Sequence, residues 1–247
     1  MSKNTDKTDL GDRMKAYERV ETDSKFSNSD FLIARLDGRS FSKLTKNLIK
    51  PFDSEFKDIM ERVAVVLLEE TNAKLAYQQS DEITLVLYNK EPDSQFIFDG
   101  KKHKMLSIFS AIASVEFSKL YDDMFGGRGG TPSFDCRIFS VPTLREASNN
   151  VLWRTLDAER NAILGIAQSI FSHKELQHKK IPDILDMLKN IDVDIERDYE
   201  DRDLYGSFFT KTLKEHTNGD EKYYRHEIIR PIKTSYRKME NRLSIFP

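Results

Sequence analysis

An α+β fold on an antiparallel sheet is predicted by the order of patterns between Phe31 and Val141: strand, helix, strand, strand, helix, strand. Three observations carry this. Two long stretches, residues 53–72 and 101–124, space their apolar residues at the helical period. Two short apolar runs flank the polar triplet Gln79-Ser80-Asp81, as a hairpin requires. The runs at 31–37 and 133–141 close the pattern at both ends. This is the split βαβ, or ferredoxin-like, arrangement. A mostly helical C-terminal part follows it.

Taken in order, residues 1–12 form a polar lead and 14–22 a short helix. FLIARLD (31–37) is a buried strand ending at Gly38. Asp53 supplies an N-cap for the helix that runs to 72. AKLAYQ and EITLVLY are the hairpin strands, and 101–124 is the second crossover helix. GGRGG (126–130) reads as a flexible loop, since no GK[ST] follows to make it a phosphate loop. SFDCRIFSV (133–141) is the fourth strand, with Cys136 inside it. Beyond Pro142, residues 147–171 and 181–190 are helical, and the acidic stretch 191–203 is expected to be exposed. Residues 1–145 are thus read as one domain, the sheet and its helices with an N-terminal helix. Residues 146–247 are read as a mainly helical region packed against it.

Composition narrows the function. The 247 residues carry 39 Lys and Arg against 41 Asp and Glu, so the net charge of -2 excludes nucleic-acid binding by bulk charge. A local basic patch stays compatible with it. With 38% hydrophobic residues the chain is long enough to bury a core. A single cysteine excludes a disulfide framework, and the five histidines form no HExxH array. His173 and His178 are not spaced to share a helix face. The polar start and the lack of a long apolar stretch point to a cytoplasmic protein with no membrane partner.

In the split βαβ topology, the end of the first strand and the start of the third lie side by side. Asp37 and Asp81 are therefore expected to meet at one sheet edge. Two carboxylates there repel unless a cation sits between them, and an oxygen-rich, histidine-poor site suits Mg²⁺. Such pairs serve phosphoryl or nucleotidyl transfer with two metal ions. Gly38 admits close backbone approach and offers a carbonyl. The pattern alone equally allows Asp37 as a turn residue and Asp81-Glu82 as polar hairpin residues.

RLDGRSF (35–41), the basic stretch closing with Lys50-Pro51, AYQQSDE (76–82), PSFDCR (132–137) and WRTLDAERN (153–161) occur in this order. Together they resemble the tRNA-His guanylyltransferase family, most closely its bacterial and archaeal guanylyltransferase-like branch. FSHKELQHKK (171–180) resembles a segment of the bacterial members.

The resemblance implies a polymerase-like palm that adds nucleotides to a tRNA 5' end in the 3'-to-5' direction. ATP or GTP first activates a 5'-monophosphate, and the 3'-hydroxyl of the incoming nucleotide then attacks it. It implies two Mg²⁺ held by Asp37 and Asp81 with the Gly38 carbonyl, and Glu82 helping to place them. Lys50, Lys101 and Lys104 would meet triphosphate, Lys102 matching less well. Arg35, Arg39, Ser40, Phe41, Ser80 and Asn161 would complete the nucleotide site. The loop between Asp37 and Lys50 is slightly shorter than in the family.

Glu159 stands where eukaryotic members carry a histidine, two positions before Asn161. That departure favours repair of 5'-truncated tRNA over strict addition of one G to tRNA-His. The resemblance further implies a homotetramer, a dimer of dimers, with tRNA spanning subunits. Lys174, Lys179, Lys180, Arg225, Arg230, Arg237 and Lys238 are candidate contacts to the tRNA backbone. The competing readings are a nucleotidyl cyclase or ordinary polymerase palm sharing the acid pair, and a non-catalytic tRNA-binding module.

Overall fold

The computed structural model describes residues 5–91, 93–126, 131–218, 221–229, 236 and 242–247, with backbone alone at 5–8, 212–218 and 221–229. Helix α1 (Thr5–Thr22) starts well before the expected residue 14. Then come β1 (Phe31–Gly38), α2 (Ser54–Glu70), β2 (Leu75–Gln79), β3 (Glu82–Leu87), α3 (Lys102–Phe125) and β4 (Phe134–Val141). Helices α4 (Leu144–Ile170) and α5 (Ile181–Asn190) follow, and strands β5 (Ser207–Asn218) and β6 (Glu221–Ile229) come last. No described helix is long and apolar enough to cross a membrane.

The sheet order is β4-β1-β3-β2-β5-β6, and every neighbouring pair is antiparallel. Its first four strands have the expected ferredoxin-like order. Alternation along β1 divides the core. Leu32, Ala34 and Leu36 pack with α2 and α3, whereas Ile33 packs on the other face with Ala147 and Val151 of α4. Asp53 caps α2 as expected, its carboxylate accepting from the Phe56 N–H at 2.9 Å and the Ile49 N–H at 3.1 Å. The second half of α4 packs with α5 and the buried Leu204 and Tyr205.

The sequence reading assigned no strand after 204, yet β5 and β6 extend the sheet. Every residue of β2 is buried, so its outer row of main-chain donors and acceptors needs a partner, and β5 provides it. Most of the acidic stretch is exposed as expected, but Asp203 turns inward to pair with Lys57. Gly126 caps α3 in the left-handed region with φ 69°, and the remainder of the glycine loop lies outside the described residues.

Candidate functional site

The topology that sequence reasoning used does bring the two acids together. Asp37 is the Cα partner of Glu82, and the Gly38 N–H donates to the Asp81 carbonyl at 3.0 Å, fastening the β2–β3 turn to the end of β1. The turn is tight, with Ser80 at φ 49°. Burial raises the Asp81 carboxyl above its ordinary range, and the neighbouring negative charge of Asp37 raises it further. Two hard oxygen donors held by main-chain bonds, one of them already resisting ionisation, form a cation-seeking edge.

Gly38 is required for a second reason. A Cβ there would stand 2.5 Å from the Phe41 ring. That ring is 2% exposed and packs against Phe117 and Phe134, with centroids 4.8 and 5.0 Å away. Phe41, expected at the nucleotide, therefore gives its side chain to the core beneath the site. Arg39 and Ser40 stay exposed at the acid edge, Ser40 in the left-handed region at φ 60°.

Beside the acids lies a cavity of about 220 Å³ that contains Lys50, Ser80 and Asn161 in its wall. Its floor adds Lys57, Arg202 and Asp203. The Lys50 ammonium is exposed and donates to the Thr45 carbonyl at 3.0 Å, and its peptide bond to Pro51 is cis. Lys57 is buried, ion-paired with Asp203, and donates to the Arg202 carbonyl at 2.9 Å. Burial lowers its pKa despite the Asp203 partner.

Glu82, expected to help place the metals, is engaged by an arginine. Its carboxylate accepts from Arg154 Nε at 2.7 Å inside the protein. Arg154 continues to Asp157 at 3.0 Å, and the Asn161 side-chain amide donates to Asp157 at 3.3 Å. A chain of charge-assisted bonds thus runs from the strand carrying the acids to the cavity wall. Glu82 is engaged by arginine and serves as its anchor.

Lys101 and Lys104 are not brought to this site within the chain. They lie at the start of α3, where Lys101 bridges to Lys25 ahead of β1. The acids stand at the other end of β1, about 23 Å away at the usual rise per strand residue. Lys102 places its ammonium 4.7 Å from the Phe26 ring centre instead. Lys174, Lys179 and Lys180 are exposed around the start of α5, and Arg225 lies on β6. Arg230, Arg237 and Lys238 are outside the described residues. Cys136 is half-buried, its thiol pushed up to about 12 by burial and then by Asp135.

Sequence reasoning missed Arg154, Lys57 and Asp203. Arg154, Asp157 and Asn161 recur every three or four residues and so share one helix face, a signal present in the motif. Lys57 interrupts an apolar helical stripe with Met60 and Ala64, which marks a paired buried cation. Asp203 gave no such signal.

With this geometry in place, the likenesses to known proteins are informative. The family model described as tRNAHis guanylyltransferase matches residues 11–142, more than half of the chain. The chain belongs to the tRNA-His guanylyltransferase family. Among relatives, an uncharacterized protein of Acanthamoeba polyphaga mimivirus is 31% identical over 192 residues, 68% of this chain and 65% of its own length. The tRNA(His) guanylyltransferase of Debaryomyces hansenii is 26% identical over 60% of this chain and 57% of its own length. The chain therefore spans less than two thirds of these relatives. A bacterial tRNA(His) guanylyltransferase-like protein, solved in complex with ATP, superposes with a TM-score of 0.82 at 26% identity, covering 96% of this chain and 99% of the other. A bacterial tRNA(His) guanylyltransferase-like protein in complex with GTP gives 0.74 at 26% identity, covering 91% and 92%.

Proposed function

We propose that this family member is a template-directed 3'-to-5' nucleotidyltransferase that fills the 5' end of truncated tRNA. The observation that carries this is the fixed Asp37–Asp81 pair beside a turn whose Ser80 lines a cavity together with Lys50 and Asn161. ATP and GTP fit it as substrates, since bacterial guanylyltransferase-like proteins of similar fold were solved with each.

The donor set fits Mg²⁺: hard carboxylates with a backbone carbonyl at Gly38, to be completed by triphosphate oxygens. Bound there, Mg²⁺ supplies the positive charge that stabilises the attacking and leaving oxygens of an in-line displacement.

The chain's own residues do the rest. Lys50 offers a point charge to the triphosphate. Arg154 ties Glu82 to Asp157 and so fixes the strand bearing the acids against the helix bearing Asn161. Activation joins the 5'-monophosphate to the nucleoside monophosphate of ATP or GTP and releases pyrophosphate. Attack by the 3'-hydroxyl of the incoming nucleotide then expels that nucleoside monophosphate. Lys101 and Lys104 fall beyond reach of their own acids, so in a cytoplasmic homotetramer they would meet RNA or triphosphate held by another copy.

Labelled nucleotide addition to 5'-truncated tRNA and to full-length tRNA-His, each with a 5'-monophosphate, tests the reading. Efficient filling that halts at a complete acceptor stem is expected. Strict preference for intact tRNA-His would replace repair by addition of a single G, and incorporation into neither RNA would remove the reading.

A further inference from the structure

Trp153 is the only tryptophan in the chain and is 53% exposed. It lies on α4 over the face of the sheet that carries Arg35 and Asp37. The Arg35 guanidinium is 5.5 Å from the indole centre and that of Arg154 is 4.7 Å away. Across the strand pair, Arg35 is opposite Arg137 on β4, the outermost strand, and the Arg137 side chain is 59% exposed. Arg35 stands two positions before Asp37, about 7 Å along the strand.

A half-exposed indole among cations is usually accounted for by the cation–π contacts themselves. Here Arg154 is held in place by Glu82 and Asp157, so its position at the ring does not depend on the indole. The exposed part of the ring, Arg35 and Arg137 form a strip from the acid edge toward the open edge of the sheet. Among the described residues, Arg137 is restrained only by a 3.7 Å approach to the exposed Asp135. Aromatic rings and guanidinium planes stack unpaired bases, and arginines along such a strip meet the phosphates between them.

We propose that Trp153, flanked by Arg35 and Arg137, is a stacking platform for an unpaired nucleobase of the RNA substrate. It deepens the functional reading above and rests on that reading for the identity of the RNA. Inside a stem each base is covered on both faces by its neighbours, and a terminal pair leaves only its outer face open. An unpaired base can be splayed out and stacked, so the platform takes an overhang base beside the end being extended.

Because Trp153 is the sole indole, its fluorescence reports directly on the platform in the intact chain. The probes are an RNA stem with a four-nucleotide unpaired 3' overhang and the same stem blunt-ended, at one fixed salt concentration. The overhang RNA is expected to quench the emission, and the blunt stem to leave it unchanged. In a labelled-RNA binding assay, Trp153→Ala should weaken overhang binding about tenfold or more, with Trp153→Phe retaining most of the affinity and blunt binding constant. Arg137→Gln, at an exposed site, should weaken overhang binding and flatten its salt dependence. Equal quenching by both RNAs, no quenching, or an unchanged overhang-to-blunt ratio in Trp153→Ala would overturn the platform. Nucleotide addition on the same RNAs separates the two proposals: addition without quenching removes only the platform, and quenching without addition removes only the catalytic reading.

Discussion

The two ends of this sheet are crowded with opposite charge. At one end Asp37 and Asp81 face each other across the tips of β1 and β3. At the other, Lys74, Lys90 and Lys211 surround a cavity of about 250 Å³. Burial and like charge act on both ends in mirror image. The Asp81 pKa is raised by burial and then by Asp37, and that of Lys74 is lowered by burial and then by Lys90. The difference lies in what holds the charges. The acids are short side chains set by main-chain pairing and the Gly38–Asp81 bond, so they cannot separate. The lysines have four-carbon stems, and Lys211 relieves its crowding by donating to the Glu69 carbonyl at 3.2 Å. Crowding that the backbone enforces is the kind that selects a counter-ion.

The largest effect that can break this contrast is on turnover. Asp37→Asn and Asp81→Asn should each lower nucleotide addition on the order of 10³-fold with RNA binding retained, since a bound cation contributes several kcal/mol to the transition state. Unchanged rates in both variants would move the chemistry elsewhere.

Next comes the buried support. Arg154→Met should destabilise the fold by about 3–5 kcal/mol, because it leaves Glu82 as an unpaired buried carboxylate. Combining it with Glu82→Gln should recover much of that loss in denaturant titration. A double variant no more stable than Arg154→Met would show that Glu82 is not anchored as described.

A smaller effect, of opposite sign, concerns the acids without metal. A carboxyl whose pKa is raised on folding holds its proton more tightly in the native state, so its ionisation destabilises the protein above the folded pKa. Metal-free Asp81→Asn should therefore melt higher than the parent at neutral pH, and the gap should close as pH falls below the ordinary carboxylate range. A gap that widens in acid would contradict the raised value.

Smallest is the lysine end. Lys74→Gln should change stability by no more than about 1 kcal/mol and leave addition unaltered, since its half-buried ammonium stands on a flexible stem. A loss comparable to that of Asp37→Asn would make the two ends equivalent.

Much of the fold was legible because period and punctuation agree between 31 and 141. The acid pair was legible because topology, not side-chain detail, sets it. β5 and β6 were overlooked although Phe208 to Leu213 is rich in strand formers and Asn218-Gly219 is a hairpin signal in the sequence. What demands β5 is the bare edge of β2, a tertiary fact. The contacts of Glu82 and Phe41 were not legible for a related reason. Their motif positions say that they matter, but only the packing shows that one anchors an arginine and the other fills the space under Gly38. Lys101 and Lys104 show the limit most plainly: a basic cluster in sequence carries no information about which end of a helix faces the acids.

The most direct test of the central claim is calorimetric titration of Mg²⁺ into the ATP-loaded protein, comparing the parent with Asp37→Asn, Asp81→Asn and Lys74→Gln, after subtraction of Mg²⁺ binding to free ATP. Protein-dependent Mg²⁺ binding should appear in the parent and Lys74→Gln and vanish in both acid variants. Equal binding in all four proteins would contradict a cation site at the acid edge.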